Sequence, residues 1–203
     1  MRTTYLILIA LFLSFSSSAQ AELKFGITAA LNYSTVSWDD VADIGTKGKT
    51  GLSIGIVPEI VLSEKIKIPL NLVYSLKGHE EDFGNGMVNN YSYHYIDFMP
   101  EFDARVFGPL RAGMGFKFGY KVQEFRSIPG QSTADKVDFL NPVDAGLTGN
   151  VKVLFSNWQL FCRYDFGVTS VNEIFFTDEN GNDIGQTDQY NRNVQLGVSV
   201  FLN

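Results

Sequence analysis

Along residues 111–122 apolar side chains occupy the even positions and small or charged ones the odd positions. Ala112, Met114, Phe116, Phe118, Tyr120 and Val122 share one face; Arg111, Gly113, Gly115, Lys117, Gly119 and Lys121 share the other. A period of two is the signature of a strand with one apolar and one polar face. The alternation recurs over residues 25–33, 51–62, 66–77, 91–107, 143–155, 158–168 and 192–202, which predicts eight strands. The run over 91–107 changes phase near Tyr95 and Ile96, and a β-bulge there would restore register.

The links between these runs alternate in length. Residues 63–65, 108–109 and 156–157 are hairpin-sized, whereas 34–49, 78–90, 124–141 and 169–189 are long, so all long loops emerge at one end. An up-and-down meander of this kind closes into a barrel without exposed edges. Short turns at one end and long loops at the other are the habit of outer-membrane barrels. A soluble lipocalin-like barrel or a sandwich, each with an apolar interior, produces the same alternation.

Glycine placement separates these folds. Gly26, Gly51, Gly55, Gly113, Gly115, Gly119, Gly146, Gly167 and Gly197 fall on the polar face, and Gly149 alone among the strand glycines falls on the apolar one. Strand glycine is costly and marks a crowded backbone. Crowding on the polar face means that this face lines a narrow barrel, whose interior is only wide enough for side chains to fill. The expected fold is therefore all-β: an eight-stranded antiparallel up-and-down transmembrane β-barrel with a polar interior. Strands of about 10 to 13 residues match a tilted bilayer crossing.

The inferred interior carries a charge network of Glu59, Asp97, Glu101, Asp103, Arg105, Arg111, Lys117, Lys121, Asp144, Lys152, Arg163 and Asp165, with Lys24, Lys67 and Lys77 on the same face. Unpaired charges there would cost several kcal/mol each, so salt bridges are expected to plug the lumen. Tyr33, Tyr74, Tyr91, Tyr93 and Tyr120 lie near the long-loop ends of strands and Trp158 at the opposite rim, as interfacial girdles do.

Composition adds an address. Residues 1–21 hold a charge at Arg2, an apolar run and a small-x-small cleavage signal at Ala19 and Ala21, which reads as a secretory signal peptide followed by a single domain over 22–203. With one cysteine, Cys162, no intrachain disulfide can form. A net charge of -6 argues against nucleic acid as a partner. The expected location is the outer membrane, and the expected partners are its lipid and lipopolysaccharide, together with envelope proteins.

Candidate chemistry is sparse. His79 and His94 are the only imidazoles; Ser92, His94 and Asp97 raise the prospect of a nucleophile and base, but Asp97 is displaced by the phase change and no G-x-S-x-G elbow occurs. Residues 178–183, DENGND, resemble a calcium loop only in their alternating oxygens and lack its fixed glycine and distal glutamate. Acidic groups at Asp39, Asp40, Asp43, Glu80, Glu81, Asp82, Asp178 and Glu179 fall in the long loops, within reach of divalent cations that bridge lipopolysaccharide; such charges more often only keep loops solvated. No cofactor or metal is expected.

Taken in order, FGITAALNYSTVS, TGLSIGIVPEI, LNLVYSLKG, YHYIDFMPEFDARV, DAGLTGNVKVLF, CRYDFGVTSV and NVQLGVSVFLN resemble the PorT-type family of small outer-membrane β-barrel proteins over nearly the whole mature chain. The resemblance implies an outer-membrane barrel, with one branch of the family tied to protein secretion; the terminal Phe201-Leu202-Asn203 departs from the aromatic ending common in such barrels. The expected function is non-enzymatic, structural or interactive, through the external loops and without an open diffusion pore. A lipid A-modifying barrel enzyme and a soluble lipocalin-like binding protein are the alternatives.

Overall fold

A computed structural model describes residues 21–38, 45–82, 88–127, 135–136, 141–177 and 183–202. The expected signal peptide falls outside these residues, Ala21 excepted. Among the described residues, ten strands run in chain order: β1 (Glu22–Trp38), β2 (Gly45–Val61), β3 (Ile66–Asp82), β4 (Val88–Phe107), β5 (Leu110–Ser127), β6 (Asp135–Lys136), β7 (Val143–Leu154), β8 (Trp158–Gly167), β9 (Asn172–Thr177) and β10 (Asp183–Leu202). Eight of them form the wall, β1-β2-β3-β4-β5-β7-β8-β10, all antiparallel, and β1 pairs with β10 from Phe25↔Leu202 to Trp38↔Gln189 to close the ring. Closure leaves every wall strand paired on both sides, which a strand in lipid requires. The short β6 pairs only with β5, and β9 only with β10, both within segments expected as loops.

The alternation decides the faces as expected, with lipid-facing apolar residues outside. Ile27, Leu31, Ile54, Phe98, Met114, Phe116, Phe118, Leu147, Leu196 and Leu202 are exposed on the wall, while the residues that alternate with them are buried or half-buried. On β5 the outward run from Ala112 to Val122 covers about 25 Å along the bilayer normal, at a rise of about 3.4 Å per residue and a tilt near 40°, the height of a barrel's apolar band.

Three tight turns mark one end. Ser63 Oγ accepts from the backbone N–H of Lys65 and Ile66 at 3.3 and 3.1 Å, Gly108 adopts φ 51°, and the Phe155 and Trp158 rings stack at 3.9 Å across the Ser156-Asn157 turn. Among the described residues, Gly108 is the one glycine whose φ calls for the left-handed region that L side chains avoid.

The wall is taller than the sequence suggests. β1, β2 and β3 have 17 residues each, β5 has 18, and β4 and β10 have 20, against the expected ten to thirteen. Much of the segments 34–49 and 78–90 is strand, because ladder pairing continues above the apolar band to Asp82↔Val88. The phase change also moves. β4 keeps its alternation throughout, so that Tyr93 and Tyr95 turn inward with Asp97, and the extra residue sits in the partner strand β5, between Tyr95↔Lys121 and His94↔Gln123. Aromatic rings look equally apolar on either face in a sequence, so the expected bulge near Tyr95 and Ile96 is corrected to one in β5.

Candidate functional site: the braced lumen

The lumen is the polar core of this protein. Glu59, Asp97, Glu101, Asp103, Arg111, Lys117, Lys121, Asp144, Lys152, Arg163 and Asp165 all point inward and are buried. Arg105 does not join them: it lies at the short-turn rim, its guanidinium 3.7 Å from Glu64 and its Nε donating to the Gly108 carbonyl at 3.0 Å. It is still paired with Arg111 in the ladder and lines the vestibule where the lumen opens to solvent, so the expected buried position is corrected to a solvated one at the mouth.

These groups are stacked in tiers. Nearest the short turns, Lys67 Nζ pairs with Glu59 at 2.5 Å, and the Arg111 guanidinium donates to the carbonyls of Glu64, Lys65 and Asp103 at 3.1 to 3.2 Å. A polar vestibule of about 370 Å³ opens below them, with Phe201 in its wall. In the next tier Lys152 bridges Glu101 and Asp103 at 2.8 and 2.7 Å, and Arg163 binds Glu101 at 2.8 Å and Gln195 at 3.0 Å. Above it Asp144 receives Lys117, Lys77 at 3.7 Å and Asn191 at 2.8 Å, while Lys77 also pairs with Asp97 at 2.8 Å. Asp165 takes the amides of Asn193 and Gln195.

Several of these contacts join strands that are not neighbours in the wall. Arg163 on β8 reaches Glu101 on β4, Lys77 on β3 reaches Asp144 on β7, and Gln189 on β10 donates to Glu81 on β3 at 2.6 Å. Each is a brace across the lumen. A charge buried without its partner costs several kcal/mol, so each brace also holds its two walls at one separation.

The glycines show how tight this interior is. A Cβ on Gly51 would strike the Leu76 carbonyl oxygen, and one on Gly115 the Pro100 carbonyl oxygen and, at 2.7 Å, the Glu101 Cα. Gly149, the outward exception, would meet nothing within 4 Å.

Some members of the lumen escaped sequence reading. His79 and Glu81 continue the inward alternation of Lys77 beyond the end of the predicted third run, with Nε2 of His79 3.0 Å from Glu81, in a segment expected as a loop. The inward series Gln189, Asn191, Asn193 and Gln195 on β10 is uncharged, and its only signal in the sequence is the alternation of amides. Glu124 stands inward three residues after Lys121, their ion pair at 2.8 Å, because the β5 bulge intervenes.

Tyr33, Tyr74 and Tyr120 project outward as a girdle, whereas Tyr93 is buried in the lumen and Tyr91 stacks on His79 at 5.0 Å. Ser92 and His94 face outward while Asp97 faces the lumen, so the strand does not assemble the three into a nucleophile, base and orienting acid. Ser92 instead accepts from Lys49, and His94 is hydrogen-bonded to the Tyr74 hydroxyl. Of the 178–183 segment, only Asp183 lies within the described residues.

Comparison with known proteins agrees with this geometry. No curated protein sequence matches the chain. Among solved structures, Neisserial surface protein A superposes with a TM-score of 0.52 at 11% identity, covering 87% of this chain and 96% of that one. Ail, the attachment invasion locus protein of Yersinia pestis, superposes with a TM-score of 0.50 at 12% identity, covering 89% and 99%. The profile of a bacterial outer-membrane family matches residues 15–173. The chain belongs to the outer membrane protein beta-barrel domain family.

Proposed function

We propose that this barrel is a non-enzymatic structural or interaction component of the outer membrane, with a sealed lumen and a contact surface at its long-loop end. The observation that carries the reading is the set of braces through the lumen, Arg163 to Glu101, Lys77 to Asp144 and Gln189 to Glu81, stacked along its height. Long charged side chains occupy the space that a diffusion pore would need. What remains for contact is the end where β1 to β5 and β10 rise above the apolar band. The resemblance to PorT-type chains supports adding protein secretion as the setting, and the polar, largely acidic strand ends at that rim, Glu80 and Asp82 among them, support lipopolysaccharide, through shared divalent cations, and envelope proteins as neighbours.

Planar-bilayer recording tests the seal: the refolded barrel is expected to give no conductance steps, and the Glu101→Ala, Arg163→Ala double variant to leak. Stable channels from the unaltered chain would overturn the sealed reading. The interaction role is tested by photo-crosslinking in cells from position 47, which is expected to capture envelope proteins that position 107, at the short-turn rim, does not. Identical adducts from both positions, or none from position 47, would remove it.

A further inference from the structure

The β2–β3 ladder slips between Gly48↔His79 and Ser53↔Ser75, so residues 49–52 of β2 stand opposite only 76–78 of β3. Counting back by twos from the buried Ser53, Lys49 belongs on the lumen face. The bulge turns it outward instead, as bulges re-aim side chains. Gly78, an outward position between the buried Lys77 and His79, is itself buried because the Lys49 stem lies over it; a Cβ there would come within 3.0 Å of Lys49 Cδ. Side chains from β1 hold the slipped ladder. Asn32 Nδ2 donates to the Leu76 carbonyl at 3.2 Å, the Ser34 hydroxyl donates to the Gly78 carbonyl at 2.9 Å, and the Gly78 N–H donates back to Ser34 Oγ at 2.8 Å.

The redirected ammonium is fixed by neutral oxygens. Lys49 Nζ donates to Asn90 Oδ1 at 2.5 Å and to Ser92 Oγ at 2.8 Å, and among the described residues no carboxylate lies within ion-pair distance of it. Glu80 stands beyond Asn90, accepting from its Nδ2 at 3.3 Å opposite Lys47 in the ladder, so its charge acts on the Lys49 ammonium across the amide without contact. Toward the apolar band the site has an aromatic floor: Tyr74 bonded to His94, and Phe125 edge-on to His94 at 5.5 Å. Lys49 neighbours Thr50, which pairs with the girdle residue Tyr33, so its charge sits at the depth where tyrosine rings mark the bilayer interface.

We propose that this outward pocket, Lys49 with Asn90 and Ser92 over the Tyr74–His94 floor, binds a phosphate group of an outer-leaflet lipid. A fixed cation with a donor to spare, beside a hydroxyl and at headgroup depth, is matched by an anionic oxygen cluster. The occupant is a lipid because the ammonium opens onto the wall, level with the headgroups, and its acyl chains would lie along the apolar band below. The proposal stands apart from the sealed-lumen reading, since it concerns the outer wall.

The test is native mass spectrometry of the barrel released from phosphatidylcholine nanodiscs doped with lipid A or with its dephosphorylated analogue. The barrel is expected to retain lipid A over the analogue, Lys49→Gln to lower that retention about tenfold, as loss of one charge-assisted hydrogen bond does, and Lys49→Arg to restore it. Equal retention of the two lipids, or of lipid A by the barrel and by Lys49→Gln with heat-modifiable mobility intact, would overturn the proposal. Release of lipid A by inorganic phosphate would overturn the lipid assignment in favour of a free-anion site. The two-lipid comparison on the unaltered chain decides the matter even where a variant does not fold.

Discussion

The two faces of β5 have opposite rules for the same backbone. Outward stand Met114, Phe116, Phe118 and Tyr120, each more than half exposed. Inward stand Gly113, Gly115, Lys117, Gly119 and Lys121, where every lysine has an acid and every glycine has a neighbour that a methyl group would strike. The outer face is selected for transfer into lipid, residue by residue, whereas the inner face is selected for pairing, so that its residues make sense only together. In this molecule the jigsaw is polar and the loosely packed surface is apolar, the reverse of a water-soluble domain.

Substitutions that respect or violate each rule can break this contrast, and urea unfolding in lipid vesicles followed by the fluorescence of Trp38 and Trp158, at opposite ends of the wall, can read it. The largest loss is expected for Asp144→Leu, which strands Lys117, removes the acid from Asn191 and leaves Lys77 with Asp97 alone, and should cost about 3 to 5 kcal/mol. A cost under 1 kcal/mol would mean that the lumen is wet enough to solvate its charges. Next is Phe118→Arg, a cation placed on the lipid face near mid-band, with an expected cost of about 2 to 4 kcal/mol and slower assembly into vesicles.

A glycine pair sharpens the same comparison with a single methyl group. Gly115→Ala, whose Cβ meets the β4 backbone, should lose about 1 to 3 kcal/mol by overpacking, while Gly149→Ala, open on the outside, should gain about 0.4 to 1 kcal/mol from the unfolded state. Equal effects would show that the lumen yields to a methyl group. The smallest effect is expected for Arg105→Gln: its ion pair with Glu64 is solvent-exposed at the rim, so a change within about 0.5 kcal/mol is expected, and anything larger would place it back in the interior network.

Most of the barrel was legible in the chain because a strand in lipid has no choice of face: each outward residue must be apolar and each inward one must fit a narrow tube. That local rule identified the eight wall strands, the three tight turns and the polar face marked by Gly115 and its fellows. It also brought most of the lumen charges to the right side. It failed where a residue's alternatives were alike, as for Tyr93 and Tyr95, and where a strand continued beyond the apolar band. There His79 and Glu81 had no lipid-facing neighbours to reveal their period.

The sequence by itself determined the fold class, the side of the wall on which most residues stand and the membrane that suits them, because burial in lipid acts on one side chain at a time. Only the tertiary structure decided which lysine meets which acid, that Arg105 stands solvated at the lumen mouth, that the β5 bulge sets Lys121 beside Glu124 and that the β2 bulge sends Lys49 outward. Those outcomes depend on the register between strands and on distances across the tube, which no single strand contains.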